Sequence, residues 1–284
     1  MSFKTILVPL SGGPEDWRCL DAAYRVAKDH GAHVTALFVE VDPEEAMAAM
    51  AATGFYFSQS YLETLEQANE ARREGPRRIF DSWRAAHEMG AADAMSSPGD
   101  VTAELVISSG ATARRDRALV ADLVVCPIAP NNALDDAPAI ADALFDAGRP
   151  VLAVPTDTAL ADMAGAPVAI AWDGSREAAR ALALSLPILR RARELVLLHV
   201  GADSKDLPMV EVEAFLARHL LDARSVLLPT DRDTAETLLD AAGKIGASLL
   251  VMGAYSHSRA REFVFGGVTR HMLSHAGIPL FLSH

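Results

Sequence analysis

Two short runs in the last quarter of the chain carry residue types able to hold a phosphate. Val251-Met252-Gly253-Ala254-Tyr255-Ser256-His257-Ser258-Arg259 follows an apolar, strand-like stretch, and Gly266-Gly267-Val268-Thr269-Arg270 opens a helical pattern that runs to His275. Glycine lets the backbone approach an anion closely and take dihedrals closed to other residues. A glycine pair ahead of a helix directs free N–H groups at a ligand, and the helix dipole favours negative charge there. Arg259, Arg261 and Arg270 add positive charge locally. Glycine pairs before helices are common, so on chemistry alone these residues read as an ordinary loop and helix start.

Other residues offer narrower chemistry. His257, inside the first run, suits donating to a phosphate or aiding its hydrolysis, or reads simply as a surface-loop histidine. Asp173-Gly174-Ser175 follows an apolar run. Its carboxylate suits a ribose, an adenine edge or a metal, and either Asp173 or Ser175 suits a helix N-cap. His271 and His275 are four apart and share a helix face. No Glu follows the first His and no third ligand is evident, so no metal site is expected. There is no GxSxG elbow and no nucleophile with a base and an orienting group. Cys19 and Cys126 form neither a CxxC nor a zinc spacing, and read as buried thiols packing in a reducing compartment.

The elements that must position these residues are written twice. Thr5-Ile6-Leu7-Val8-Pro9-Leu10 with Ser11-Gly12-Gly13 corresponds to Pro167-Val168-Ala169-Ile170-Ala171-Trp172 with Asp173-Gly174-Ser175. A helical pattern follows each, Glu15 to His30 and Arg176 to Arg193, and then a second strand, Ala32 to Val39 and Glu194 to Val200. Ala121 to Cys126 corresponds to Ala247 to Met252, and Gly148 to Val154 to Gly277 to Ser283. Matched segments in one order indicate a tandem duplication. The runs are apolar throughout, as in strands covered by helices on both faces. Strand and helix in alternation indicate parallel α/β sheets, in which ligands bind beyond the carboxyl ends of the strands. The repeats are placed at 1–155 and 166–284, with Pro155 to Ala166 as linker. The first carries an extra segment, Pro43 to Ala86, read as two helices on the sheet with Met47, Met50, Phe55 and Phe57 as core, or as a lid or partner surface.

Composition excludes several classes. The chain has 284 residues, 38 acidic and 26 basic, for a formal charge of −12, and half are hydrophobic. That balance does not fit disorder, nucleic acid or an anionic membrane surface as partner. No run is apolar and long enough for a convincing membrane span, and Met1-Ser2-Phe3-Lys4 has no signal-peptide layout, so a cytoplasmic location is expected.

The whole chain resembles a tandem member of the universal stress protein family. Val251 to Leu273 is similar to that family's ATP-binding signature: Gly, two residues, Gly, nine residues, Gly, then Ser or Thr. Gly253 matches the first glycine and Gly266 the third, Met252 precedes the signature as it commonly does, Ser256 stands for the second glycine and Gly267 for the Ser or Thr. The resemblance implies two Rossmann-like, adenine-nucleotide-hydrolase-like α/β domains with five-stranded parallel sheets, paired within one chain about an internal pseudo-twofold, with further homodimerisation open. It implies ATP in the second domain, with Mg²⁺ carried mainly by phosphate oxygens and water. Adenine would rest on Val200 and Asp173 would face the ribose or base. Phosphates would meet the backbone at Gly253, Ser256, Gly266, Gly267 and Val268, with Thr269 and His257 beside them. The first repeat departs further: Ser11 replaces the acid, and Cys126 is followed by Pro127-Ile128-Ala129-Pro130-Asn131-Asn132, without signature glycines. Prolines lack the N–H a phosphate needs. The first repeat is expected to be a degenerate, structural copy.

Three functions fit these residues: a nucleotide-dependent stress-response regulator with little or no turnover, an interaction scaffold with a decayed site and an unidentified protein partner, and a slow ATP hydrolase using His257 or Asp173.

Overall fold

Strands buried on both faces lie at the centre of the computed structural model, which describes residues 2–52, 59–89, 99–128, 138–158, 162–205, 207–255 and 267–284. The chain packs as two compact units, Phe3–Val125 and Cys126–His284.

In the first unit, β1 (Thr5–Leu10) leads through a glycine turn to α1 (Glu15–His30), whose inward face is Cys19, Leu20, Ala23, Val26 and Ala27. The helix stops at Gly31, whose φ of +55° lets its N–H return to Ala27 O. β2 (His33–Glu40) follows, then α2 (Pro43–Ala51) and the long α3 (Gln59–Ala86), then β3 (Thr102–Ser109), α4 (Ala113–Ala118) and β4 (Leu123–Ile128). The strand order is β3-β2-β1-β4 and every pairing is parallel.

The described part of the extra segment is helical, as expected. Met47 is only half-buried, the Met50 side chain, Phe55 and Phe57 lie outside the described residues, and Asn69, Pro76, Phe80 and Trp83 are the buried positions. α3 runs through Gly75 and Pro76 to Ala86. Pro76 removes one helical N–H, but its ring lies against the β1–α1 turn, with Cδ 3.2 Å from where a Gly12 Cβ would stand.

The second unit contains α5 (Pro138–Ala141) continued by a π-turn (Asp142–Asp146), β5 (Val151–Pro155), β6 (Pro167–Ala171), α6 (Arg176–Leu189), β7 (Glu194–Val200), α7 (Met209–Arg218), β8 (Ala223–Leu228), α8 (Thr234–Lys244), β9 (Leu249–Gly253), α9 (Gly267–His275) and β10 (Leu280–Ser283). The order is β5-β10-β9-β6-β7-β8, parallel from β10 to β8. β5 joins antiparallel, with Leu280 opposite Ala153 and Leu282 opposite Val151. By sequence β5 ends the first repeat, yet it pairs with the strand that ends the second. The packing division between Val125 and Cys126 therefore differs from the repeat boundary between 155 and 166. Among the described residues no helix is long and apolar enough to cross a membrane.

Candidate functional site

The strand order turns at β6: β7 lies on one side and β9 on the other. Such a switch point opens a crevice at the carboxyl ends of the strands. A cavity of about 350 Å³ lies there, walled by the ends of β6, β7 and β9, the first turn of α9, and Thr234 and Leu238 of α8. Its size is in the range of small-molecule sites.

On the β6 side, Asp173 and Ser175 divide the roles left open by sequence. Ser175 is the N-cap of α6, its Oγ accepting from Ala178 N–H at 3.1 Å. Asp173 Oδ1 accepts from Ser175 N–H at 2.9 Å and from its hydroxyl at 2.5 Å, while Gly174 takes a φ of +76°. This turn holds an exposed carboxylate at the cavity rim. Just inside α6, burial works to raise the Glu177 carboxyl. The Arg176 guanidinium at 2.5 Å and the residue's own backbone N–H outweigh it and hold the group below the usual carboxylate value.

On the β9 side, the glycines at two signature positions, Gly253 and Gly267, have different surroundings. A Cβ on Gly253 would stand 2.5 Å from Ala178 N and 2.7 Å from Glu177 C, so this glycine lets α6 approach the strand. Among the described residues, a Cβ on Gly267 would meet no atom within 4 Å. Gly267 starts α9, and the first N–H groups of a helix have no partner within it. Gly267, Val268 and Thr269 thus bring donors and the positive end of a helix dipole to the cavity. Thr269 is buried, and its Oγ1 accepts from Tyr255 N–H at 3.2 Å. Tyr255 has a φ of +64°, a costly conformation for a residue with a Cβ. Burial pushes its phenol above the ordinary value.

Of the residues singled out from sequence, Asp173, Val200, Met252, Gly253, Gly267, Val268 and Thr269 all line this cavity. Ser256, His257 and Gly266, with Arg259 and Arg261, lie outside the described residues. Sequence reasoning missed Trp172, His199, Thr234, Leu238 and Tyr255 as wall residues. Trp172 and Tyr255 adjoin matched positions, and that adjacency is the signal that would have found them. Nothing local marks Thr234 or Leu238. His271 and His275 line a different groove, between α8 and α9, with rings stacked 4.2 Å apart. Among the described residues no group of three or more His, Cys, Asp or Glu comes together as a metal site. Both cysteines are buried.

The sequence model of the universal stress protein family matches residues 166–284. Residues 166–284 are a universal stress protein domain. Over the whole chain, the fold is similar to a universal stress protein from Archaeoglobus fulgidus DSM 4304, at a TM-score of 0.70 and 14% identity over 99% of this chain and 97% of that one. A functionally unknown protein from Pseudomonas aeruginosa PAO1 aligns at a TM-score of 0.53 and 15% identity, over 99% and 92% of the two chains. At such identities the likeness establishes the fold. No curated relative matches the sequence.

The universal stress protein domain leaves the turn after β6 open; the corresponding turn after β1 is filled. There Asp16, in the first turn of α1, accepts from Ser11 N–H at 3.0 Å, from Gly12 N–H at 2.7 Å and from the Ser11 hydroxyl at 3.2 Å. Burial pushes the Asp16 carboxyl above its ordinary value, although these donors pull the other way. Beyond it, at the end of β2, Glu40 is buried and paired bidentately with Arg73 of α3, which also reaches Glu70 at 2.6 Å.

Proposed function

We propose that the chain consists of two universal-stress-like repeats, 1–155 and 166–284, and that the second binds ATP and acts as a nucleotide-dependent, cytoplasmic stress regulator with little or no turnover. The observation that carries this reading is the convergence of Asp173, Val200, Met252, Gly253, Gly267, Val268 and Thr269 on one cavity at a switch point. Asp173 stands at the rim where a ribose would hydrogen-bond, and Val200 offers an apolar edge for the base. The N-terminus of α9 suits a polyphosphate, because its N–H groups and dipole act locally on an otherwise acidic chain. Mg²⁺ would be held by phosphate oxygens and water, in keeping with a cavity whose acidic lining residue is Asp173.

The test is calorimetric titration with ATP and Mg²⁺, beside Gly267→Val. Because a Cβ at Gly267 meets no atom of the described residues within 4 Å, the variant should keep the wild-type melting temperature. Micromolar binding lost in the variant supports the reading. No heat and no thermal shift at millimolar ATP overturns it and leaves the scaffold reading. Phosphate release in single turnover would instead indicate the hydrolase.

A further inference from the structure

The chain leaves β9 through Ala254 and Tyr255, the two residues that follow the first signature glycine, Gly253. Three contacts fix this exit: Ala254 N–H donates to Ser283 O at 2.8 Å, His284 Nδ1 meets Ala254 O at 3.0 Å, and Tyr255 N–H donates to Thr269 Oγ1 at 3.2 Å. Thr269 belongs to the first turn of α9, so the last contact couples the exit to the helix start. It requires Tyr255 to hold its left-handed backbone conformation, which a non-glycine residue keeps only when its surroundings impose it.

Phe145 supplies part of those surroundings. By sequence it belongs to the first repeat, but it packs within Cys126–His284. It sits in the π-turn after α5, where Ala147 N–H reaches Asp142 O and Arg149 N–H reaches Ala143 O. That wider turn keeps Ile140, Ala143 and Leu144 inward and leaves Phe145 42% exposed. A phenyl on the surface contributes little to a core, yet this ring lies 5.0 Å from Tyr255 and 4.8 Å from His284, at tilted and edge-on angles favourable for aromatic pairs. π-turns of this kind are frequent at functional sites.

We infer that Phe145 is a positioning residue for the phosphate end of the cavity, holding Tyr255 so that the exit from β9 stays coupled to the start of α9. The ligand half of this inference rests on the nucleotide reading above; the backbone half does not. The repeat without a signature thereby contributes one side chain to the site of the repeat that has it.

Two measurements test it on the full chain. In ligand-free protein, Phe145→Ala should speed hydrogen exchange of the Tyr255 amide by about tenfold, the scale of one aromatic pair, and Phe145→Tyr should restore it. Phe145→Leu keeps apolar bulk without the ring and should behave like Phe145→Ala, which covers the case in which the alanine variant folds poorly. In titrations, Phe145→Ala should weaken ATP by roughly tenfold and leave adenosine unchanged, since adenosine does not reach α9. Unchanged exchange at Tyr255, or equal weakening of ATP and adenosine, overturns the inference. Failure of the wild type to bind ATP would instead remove the nucleotide reading, and the exchange result would still decide the role of Phe145.

Discussion

The turn after β1 and the turn after β6 begin alike, with an apolar strand, a glycine at positive φ and a helix, and they end in opposite states. After β6 the carboxylate of Asp173 is held at the cavity rim by Ser175. After β1 the chain's own Asp16 takes the turn's N–H groups, Pro76 covers Gly12, and Arg73 neutralises Glu40 at the end of β2. The turn after β1 is closed by the chain itself: a buried carboxylate takes the N–H groups of Ser11 and Gly12. The helix that helps to close the first turn, α3, comes from the extra segment between β2 and β3. Open and closed turns thus differ by one inserted element and a handful of side chains on a shared scaffold.

The comparison is tested first at Gly253, where the largest effect is expected. Gly253→Val drives a side chain into the α6 backbone, and should cost about 3 kcal/mol in urea denaturation because neither element can give way. A much smaller loss would mean that α6 does not depend on the glycine, and Pro127, at the matching place after Cys126, would not mark a difference between the repeats. Next is Asp173→Ala, which should weaken ATP by ten- to a hundredfold, about 1.4–2.7 kcal/mol. Calorimetry should show one site per chain in the wild type, and a second site would show that the turn after β1 is not closed. Asp16→Ala leaves Ser11 and Gly12 N–H groups without their acceptor. A loss of about 1.5 kcal/mol is expected, with no second ATP site, since Pro76 still covers the turn.

The smallest effect is in pH dependence, where the two helix starts should differ in sign. Asp16 titrates above 3.8 in the folded chain, mainly through burial, so the native state binds its proton more tightly than the unfolded state. Its contribution is full below 3.8 and declines as pH rises through the raised value. Glu177 titrates below 4.5: burial raises it, but Arg176 and the backbone overcome that. Its contribution is present above 4.5 and is lost as pH falls through the lowered value. Stability relative to Asp16→Asn should therefore shrink with rising pH, and stability relative to Glu177→Gln should grow. Parallel pH curves for the two variants would remove the contrast.

The inner strands and their helices were legible because fully apolar runs between amphipathic segments leave few alternatives. α1 keeps the expected bounds, Glu15–His30. α6 ends at Leu189 instead of Arg193, since the pattern continues past the last helical bond. β3 and β8 were not singled out: they are edge strands, and Thr102-Ala103-Glu104 and Ala223-Arg224-Ser225 lack an apolar run. The antiparallel pairing of β5 with β10 was also hidden, because a strand's direction relative to a distant partner leaves no local mark. In the site, the glycine spacing pointed to the cavity. Asp16 gave no sign of closing a turn, as it reads like any first-turn acid. Pro76 would ordinarily end a helix, yet α3 continues through it to Ala86 with the ring packed on Gly12.

The pairing of β5 with β10 bears on how the chain is made. β5 is synthesised long before the strand that covers its edge. Closing a sheet across so long a separation is slow. During translation the edge of Val151-Leu152-Ala153-Val154 that β10 later covers stays open, the kind of edge that recruits chaperones or aggregates when release is delayed. Shedding of the nascent chain from such a holdase should therefore coincide with the emergence of Leu280–Ser283 from the ribosome.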